Sequence, residues 1–271
     1  MILTQRNKKK IRQLILKFAK NGAAGHLGPS LSLVEIFDVL IYDVCRFSFS
    51  QNEKYSSQKD ILALSKGHGA MCFYAYLLQE EILTTEDLTN YLQDGSHLFG
   101  LIEADGPYRE ISGGSLGHGF PVCVGMALGL KYQQKIQKRN IYCIVGDGEM
   151  NEGSIWEAIL VASHHKLSNL TMIVDYNKFQ AMGETNDIIN LEPFVERMTS
   201  FGFATIRVNG HETQELLEGF YYLNKFTDRP KCLIADTIKG KGISFMEKNN
   251  IWHYQKLDDK LYQTALSELE N

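Results

Sequence analysis

The sequence predicts an α/β three-layer domain in which a doubly wound, mostly parallel sheet is covered by helices on both faces. Three observations carry that reading: short apolar runs rich in β-branched residues, helix-like stretches alternating with them, and a glycine-rich turn joining a run to a helix. The runs cover residues 141–145, 170–174, 203–208 and 232–235. Continuous apolar strands of this length suit a parallel sheet buried on both sides. Helical periodicity appears over 33–44, where Ser32 and Glu35 have capping-box spacing, and again over 71–78 and 120–137. Two further helix-like stretches, 154–165 and 213–223, fall between the runs in the order expected of βαβ units.

With 271 residues and 44% hydrophobic content, the chain can bury a proper core, and it is read as a single domain over 1–271. Only five prolines occur and no repeat or low-complexity linker interrupts the pattern, so nothing marks a hinge. A formal net charge of −4 offers no basic excess for a phosphate backbone and argues against nucleic acid as the main ligand. Cys45, Cys72, Cys123, Cys143 and Cys232 are widely separated and form no C-x-x-C pair. Most of them read as buried thiols of a cytoplasmic protein. The basic cluster from Arg6 to Lys10 precedes apolar residues, as in a signal peptide, but Arg12, Lys17 and Lys20 interrupt the run. An amphipathic surface helix is the better reading. No stretch approaches the roughly 18 apolar residues of a membrane span.

In sheets of this kind ligands sit beyond the carboxyl ends of the strands, and the unusual residues of this sequence fall there. The strongest signal is Gly146-Asp147-Gly148-Glu149-Met150-Asn151-Glu152-Gly153, between a predicted strand and a predicted helix. By itself this is also what a purely conformational strand-to-helix turn looks like. The next strand decides the matter, because it ends in Val174-Asp175-Tyr176-Asn177 and so places Asn177 thirty positions after Asp147. Both side-chain oxygens could then reach one hard cation such as magnesium, which is commonly shared with phosphate oxygens. Gly146 and Gly148 permit close backbone approach, and the following helix N-terminus favours an anionic diphosphate.

A Gly-Asp-Gly followed about thirty residues later by Asn resembles the thiamine-diphosphate signature. Four further blocks are similar to those of transketolases and occur in the same order: Gly25-His26-Leu27-Gly28, Ser65-Lys66-Gly67-His68-Gly69, Gly114-Ser115-Leu116-Gly117-His118-Gly119 and Lys239-Gly240-Lys241-Gly242. The resemblance runs over nearly the whole chain and implies the thiamine-diphosphate-binding fold, specifically its diphosphate-binding domain. It further implies that Asp147 and Asn177 hold the divalent metal (Mg2+, or Ca2+ or Mn2+) with their side chains, and Phe179 with its backbone carbonyl. His68, Gly146, Gly148 and Asn177 would bind the cofactor, with Gly114, Ser115 and Leu116 beside its rings. Glu152 matches a glutamate at the subunit interface that takes part in communication between active sites. His26 and His253 would handle substrate and cofactor protons, work suited to a group that titrates near neutrality. His118 is read as structural.

In the family, the carboxylate that activates the cofactor belongs to a second, pyrimidine-binding domain. The sequence ends at Asn271, shortly after His253, and the resemblance is to the N-terminal member of a transketolase split into two polypeptides. The implied function is transfer of a two-carbon ketol unit from a sugar or sugar-phosphate donor to an aldose. The implied partner is a C-terminal subunit carrying the pyrimidine domain, in an α2β2 assembly with small-molecule sugar substrates and with neither nucleic acid nor membrane. One departure stands out. Where family members commonly carry His-Pro shortly after a Gly-Ser, Gly95-Ser96-His97-Leu98-Phe99-Gly100 continues into Leu101-Ile102. A polar contact to the donor sugar would thereby become apolar, unless the loop over 103–110 supplies a replacement. Alternatives are the α subunit of another thiamine enzyme, such as a 2-oxoacid dehydrogenase or a deoxyxylulose-phosphate-synthase-like protein, a non-catalytic cofactor-binding subunit, or an unrelated nucleotide-binding module.

Overall fold

A computed structural model describes residues 6–22, 25–46, 59–104, 108–133 and 139–270. Among the described residues five strands form one sheet: β1 (Ile61–Leu64), β2 (Ile141–Gly146), β3 (Leu170–Tyr176), β4 (Ala204–Asn209) and β5 (Lys231–Asp236), in the order β1-β2-β3-β5-β4. Every pairing is parallel. Strand β1 has no counterpart among the predicted runs. Four residues, Ile-Leu-Ala-Leu, are too few to show a period, and helix and buried strand cannot be separated over so short an apolar stretch.

The pleat divides the core into two layers. Ile141, Cys143 and Val145 of β2, with Leu170, Met172 and Val174 of β3, face α6 (Gly119–Tyr132), α7 (Gly153–His164) and α9 (Phe194–Ser200). Tyr142, Ile144, Ile173 and Leu233 face the opposite way, toward α1 (Lys8–Asn21), α2 (Leu27–Leu31), α3 (Val34–Val39), α4 (Ala70–Gln79) and α10 (Thr213–Leu223). Short helices α5 (Thr85–Thr89) and α8 (Thr185–Ile188) lie in the connections, and α11 (Asp259–Glu270) closes the chain against α1. The connection from β2 to β3 passes through α7 on one face, and that from β4 to β5 returns through α10 on the other. With opposite directions of travel across the sheet, opposite faces keep both crossovers right-handed.

Helix α1 is the expected amphipathic helix, with Ile11, Leu14, Ile15 and Phe18 buried in the core and Lys9, Lys10 and Lys17 exposed. Other local expectations are corrected. The stretch 33–44 splits into α3 and a π-helical turn, Leu40–Val44. Ser32 and Glu35 do not form a capping box: the Ser32 hydroxyl donates to Asp175, while Glu35 binds Arg12 and His211. Tertiary charge partners outcompete the local cap. Helix α6 ends at Tyr132, and residues 134–137 of the expected helix lie outside the described residues. All five cysteines are buried and free. Among the described residues no helix is long and apolar enough to cross a membrane.

Candidate active site

Four strands deliver their next residues to one end of the sheet. Ser65 to His68 follow β1, Asp147 follows β2, Asn177 follows β3, and Thr237 to Lys239 follow β5. The register pairs Gly146 with Asp175 and Tyr176 with Asp236, so these side chains leave the sheet at nearly one level. Of these, Lys66, His68, Asp147 and Asn177 line a cavity of about 150 Å³, together with Leu116, Gly146, Gly148, Phe179 and His253.

Asp147 is buried. One of its carboxylate oxygens accepts from the Gly148 N–H at 2.8 Å, and the other accepts from the Lys178 N–H at 2.6 Å and the Thr185 hydroxyl at 3.1 Å. Burial and the charge of nearby Asp175 push its carboxyl up to about 6 despite Lys66 and those two N–H donors. Asn177 accepts the Phe179 N–H at 3.0 Å through Oδ1. Each oxygen that takes a single donor keeps a lone pair. A carboxylate, an amide oxygen and a local excess of negative charge match what a hard divalent cation requires.

Asp175 was missed as a site residue. It is fully buried on β3, where Lys66, Ser32 and Thr237 all donate to its carboxylate. The sequence did carry a signal, since an acid inside an otherwise apolar central strand needs buried hydrogen-bond donors or a cation. Lys239 was also missed. It is fully buried, and its ammonium lies 3.1 Å from the Gln180 carbonyl, 2.6 Å from Asn250 Oδ1 and 3.0 Å from His253 Nδ1. In the charged form of Lys239, three acceptors use all three ammonium hydrogens. His253 Nδ1 is therefore the acceptor, and Nε2 carries the ring proton. Burial, reinforced by Lys66, lowers the Lys239 ammonium to about 7.

Three histidines from three segments meet beside this lysine. The ring centroids are 4.6 Å apart for His26 and His68, 5.6 Å for His26 and His253, and 5.5 Å for His68 and His253. Burial lowers His26 and His68 to about 4 and His253 to about 3, with neighbouring positive charge adding to the effect. All three are neutral near pH 7. His26 Nδ1 is buried with no protein partner, an orphaned atom of the kind a ligand satisfies.

Not every expected residue reaches the cavity. Leu116 lines it, whereas Ser115 is exposed and Gly114 packs beside Leu101. Glu152 is exposed as the N-cap of α7. His118 is an exposed helix cap whose side chain makes no capping bond. Ile102 is buried and His97 pairs with Asp87 at 3.4 Å. Residues 105–107 of the neighbouring loop lie outside the described residues.

A doubly wound parallel sheet with glycine-rich turns and oxygen donors beyond its strand ends is a cofactor-binding architecture. Residues 3–265 match the family model described as "Transketolase, thiamine diphosphate binding domain", and the chain belongs to the transketolase family. It is 35% identical over 261 residues to an apulose-4-phosphate transketolase subunit of Actinobacillus succinogenes, covering 96% of this chain and 93% of that protein. It is 34% identical over 261 residues to the 6-deoxy-6-sulfo-D-fructose transketolase subunit SqwG of Clostridium sp. (strain MSTE9), covering 96% and 94%. The crystal structure of transketolase from Campylobacter jejuni matches with a TM-score of 0.88 at 27% identity. That match covers 100% of this chain and 43% of that protein, so the chain spans less than half the length of that transketolase.

Proposed function

We propose that the chain is the N-terminal subunit of a two-polypeptide transketolase, transferring a two-carbon ketol unit from a sugar or sugar-phosphate donor to an aldose acceptor. The observation that carries this reading is the convergence of Asp147, Asn177, Gly148 and His68 on one cavity. It is supported by relatives named as transketolase subunits that match along more than nine-tenths of their length. Asp147 and Asn177 would hold Mg2+, Ca2+ or Mn2+ with their side chains, and Phe179 with its carbonyl. Gly146, Gly148, Asn177 and His68 would bind the diphosphate, with Gly114, Ser115 and Leu116 nearer the rings. When bound, thiamine diphosphate supplies the nucleophilic carbon that a sugar carbonyl needs for carbon–carbon cleavage.

The chain's own residues position and exchange protons. His253 presents an Nε2–H donor because Lys239 occupies Nδ1. His26 keeps a buried, unpartnered nitrogen within the histidine cluster. In this arrangement His253 can donate its Nε2 proton to a carbonyl oxygen, and proton uptake from a sugar hydroxyl falls to the unpartnered nitrogen of His26. Glu152, exposed at the head of α7, would take the role of the interface glutamate that the resemblance implies. The partner is a C-terminal subunit with the pyrimidine-binding domain, in an α2β2 assembly, and the free buried thiols fit a cytoplasmic setting. Leu101 beside Gly114 gives the donor end an apolar wall, which suits a sugar other than the standard ketose phosphates.

Calorimetry of the chain with its partner tests the cofactor, comparing thiamine diphosphate plus Mg2+ with NAD and with ATP. Metal-dependent binding of thiamine diphosphate alone is expected; preference for a nucleotide would overturn the reading. A donor panel that includes pyruvate separates ketol transfer from 2-oxoacid chemistry.

A further inference from the structure

A second cavity, about 470 Å³ and open, lies outside the candidate active site and is lined by Arg12, Glu35, His211, Ile238, Lys241 and Gly242, among others. Its three most buried charged or titratable groups are satisfied by one another and by backbone. The Arg12 guanidinium donates to both Glu35 oxygens, at 2.8 and 3.0 Å, and His211 Nδ1 lies 2.9 Å from Glu35 Oε2. Burial pushes the Glu35 carboxyl up, but the His211 hydrogen bond and the Arg12 charge outweigh it and hold it below the usual carboxylate range. This is a brace rather than a vacancy for a ligand, and both ends of it grip one loop.

The loop is the one leaving β5. The Ile238 N–H donates to His211 Nε2 at 2.8 Å, and the Lys241 carbonyl accepts from Arg12 Nε at 3.1 Å. An acceptor at Nε2 requires the ring proton to sit on Nδ1, facing Glu35, so the carboxylate fixes the tautomer that holds the loop. Gly242, at φ +95°, lies so close to the guanidinium that a Cβ there would approach Arg12 Nε to 2.8 Å. Between the two grips stands Lys239, whose ammonium reaches through to His253 on the cavity side. The Gly240 N–H also donates to the Gly28 carbonyl at 3.1 Å, on the helix that follows His26.

We propose that Arg12, Glu35 and His211 are positioning residues for Lys239: from outside the cavity they clamp the turn over 238–242 and thereby set its ammonium against His253 Nδ1. That the clamped lysine serves catalysis rests on the transketolase reading; the clamp itself does not. Three elements distant in sequence, α1, α3 and the turn after β4, converge on this loop. A carboxylate buried between an arginine and a histidine is strongly disfavoured unless its geometry is kept, and that makes the brace stiff.

The test uses the full chain, isotopically labelled. In His211→Phe, which keeps the ring's bulk and loses the acceptor, amide hydrogen exchange at Ile238 should rise by roughly threefold to tenfold, the worth of one net hydrogen bond. The His253 ring nitrogen resonances should move, while core amides of β3 keep their protection. His211→Gln, whose amide oxygen can reach the Ile238 N–H, should restore both signals toward wild type. If His211→Phe fails to fold, His211→Leu, which also lacks the acceptor, provides the same comparison. Unchanged exchange at Ile238, or faster exchange with the His253 resonances unmoved, would overturn the clamp. In the assembled complex, loosening should weaken apparent cofactor affinity more than kcat. Moved His253 resonances with unaltered cofactor affinity would uphold the clamp and count against the thiamine reading instead.

Discussion

On the proposed reading, the Asp147 side chain serves fold and metal binding together. Its carboxylate organises the Lys178 and Gly148 amides, yet burial and Asp175 leave it poorly compensated. Asp147→Ala should abolish metal-dependent binding of thiamine diphosphate, a loss of at least roughly a hundredfold in affinity for a charged first ligand. Circular dichroism and thermal unfolding should still report a folded chain. Cofactor affinity unchanged in that variant would remove the metal assignment. Leu101 poses the opposite case, an apolar side chain where the sequence resemblance implies a histidine in the family. A site that hydrogen-bonds a substrate hydroxyl discriminates strongly, and an apolar wall of similar size does so weakly. Leu101→His should therefore raise kcat/KM for standard ketose phosphates, by roughly tenfold for one recovered hydrogen bond, and improve a modified donor less. If the wild type already uses xylulose 5-phosphate at ordinary transketolase efficiency and the variant changes nothing, the substitution is neutral.

Among the elements, those with apolar runs long enough to show a period were legible. The runs at 141–145, 170–174 and 232–235 all lie within strands β2, β3 and β5, and the Gly-Asp-Gly turn stands where a buried strand meets a helix. Strand β1 was too short to read, and Glu35 looked like a cap because local spacing cannot show a partner such as His211, 176 positions away. Lys239 and Asp175 needed the sheet order before their partners became visible. The turn after β1 illustrates how tightly the motif blocks pack: a Cβ on Gly67 would lie 1.9 Å from the Gly113 carbonyl oxygen. Gly67→Ala should destabilise the chain by several kcal/mol, on the order of the largest single-site effects, measured by urea unfolding. A loss below about 1 kcal/mol would show that the blocks can separate freely.

The histidine cluster, built by three segments, gives a pH signature. His26 and His68 are lowered from 6.5 to about 4, and His253 to about 3. A group depressed in the folded state contributes stability that is present above its unfolded value and lost as pH falls toward its folded value. Stability should therefore decline between pH 6.5 and about 4, by on the order of 1 kcal/mol per ring after allowing for partial exposure. His68→Gln should flatten that decline in a urea titration series, and an identical slope in the variant would refute the origin assigned to it.

At the level of the whole molecule, composition and charge served to exclude: they left a globular α/β chain with no electrostatic footprint for nucleic acid. The family was legible because five motif blocks keep their order along the chain, and the comparisons agree. Substrate identity was not legible, since relatives of similar identity are named for different sugars. The partner is where the functional reading is most exposed to test. The chain spans 43% of a transketolase whose fold it shares, and 93% of a relative that is itself named as one subunit of a transketolase. The most direct measurement is ketol transfer by the purified chain, assayed alone and then with a polypeptide carrying the pyrimidine-binding domain, in the presence of thiamine diphosphate and Mg2+. Activity that appears only on mixing is the predicted result; robust turnover by the uncontaminated chain alone, or none with any such partner across a full donor panel, would contradict it.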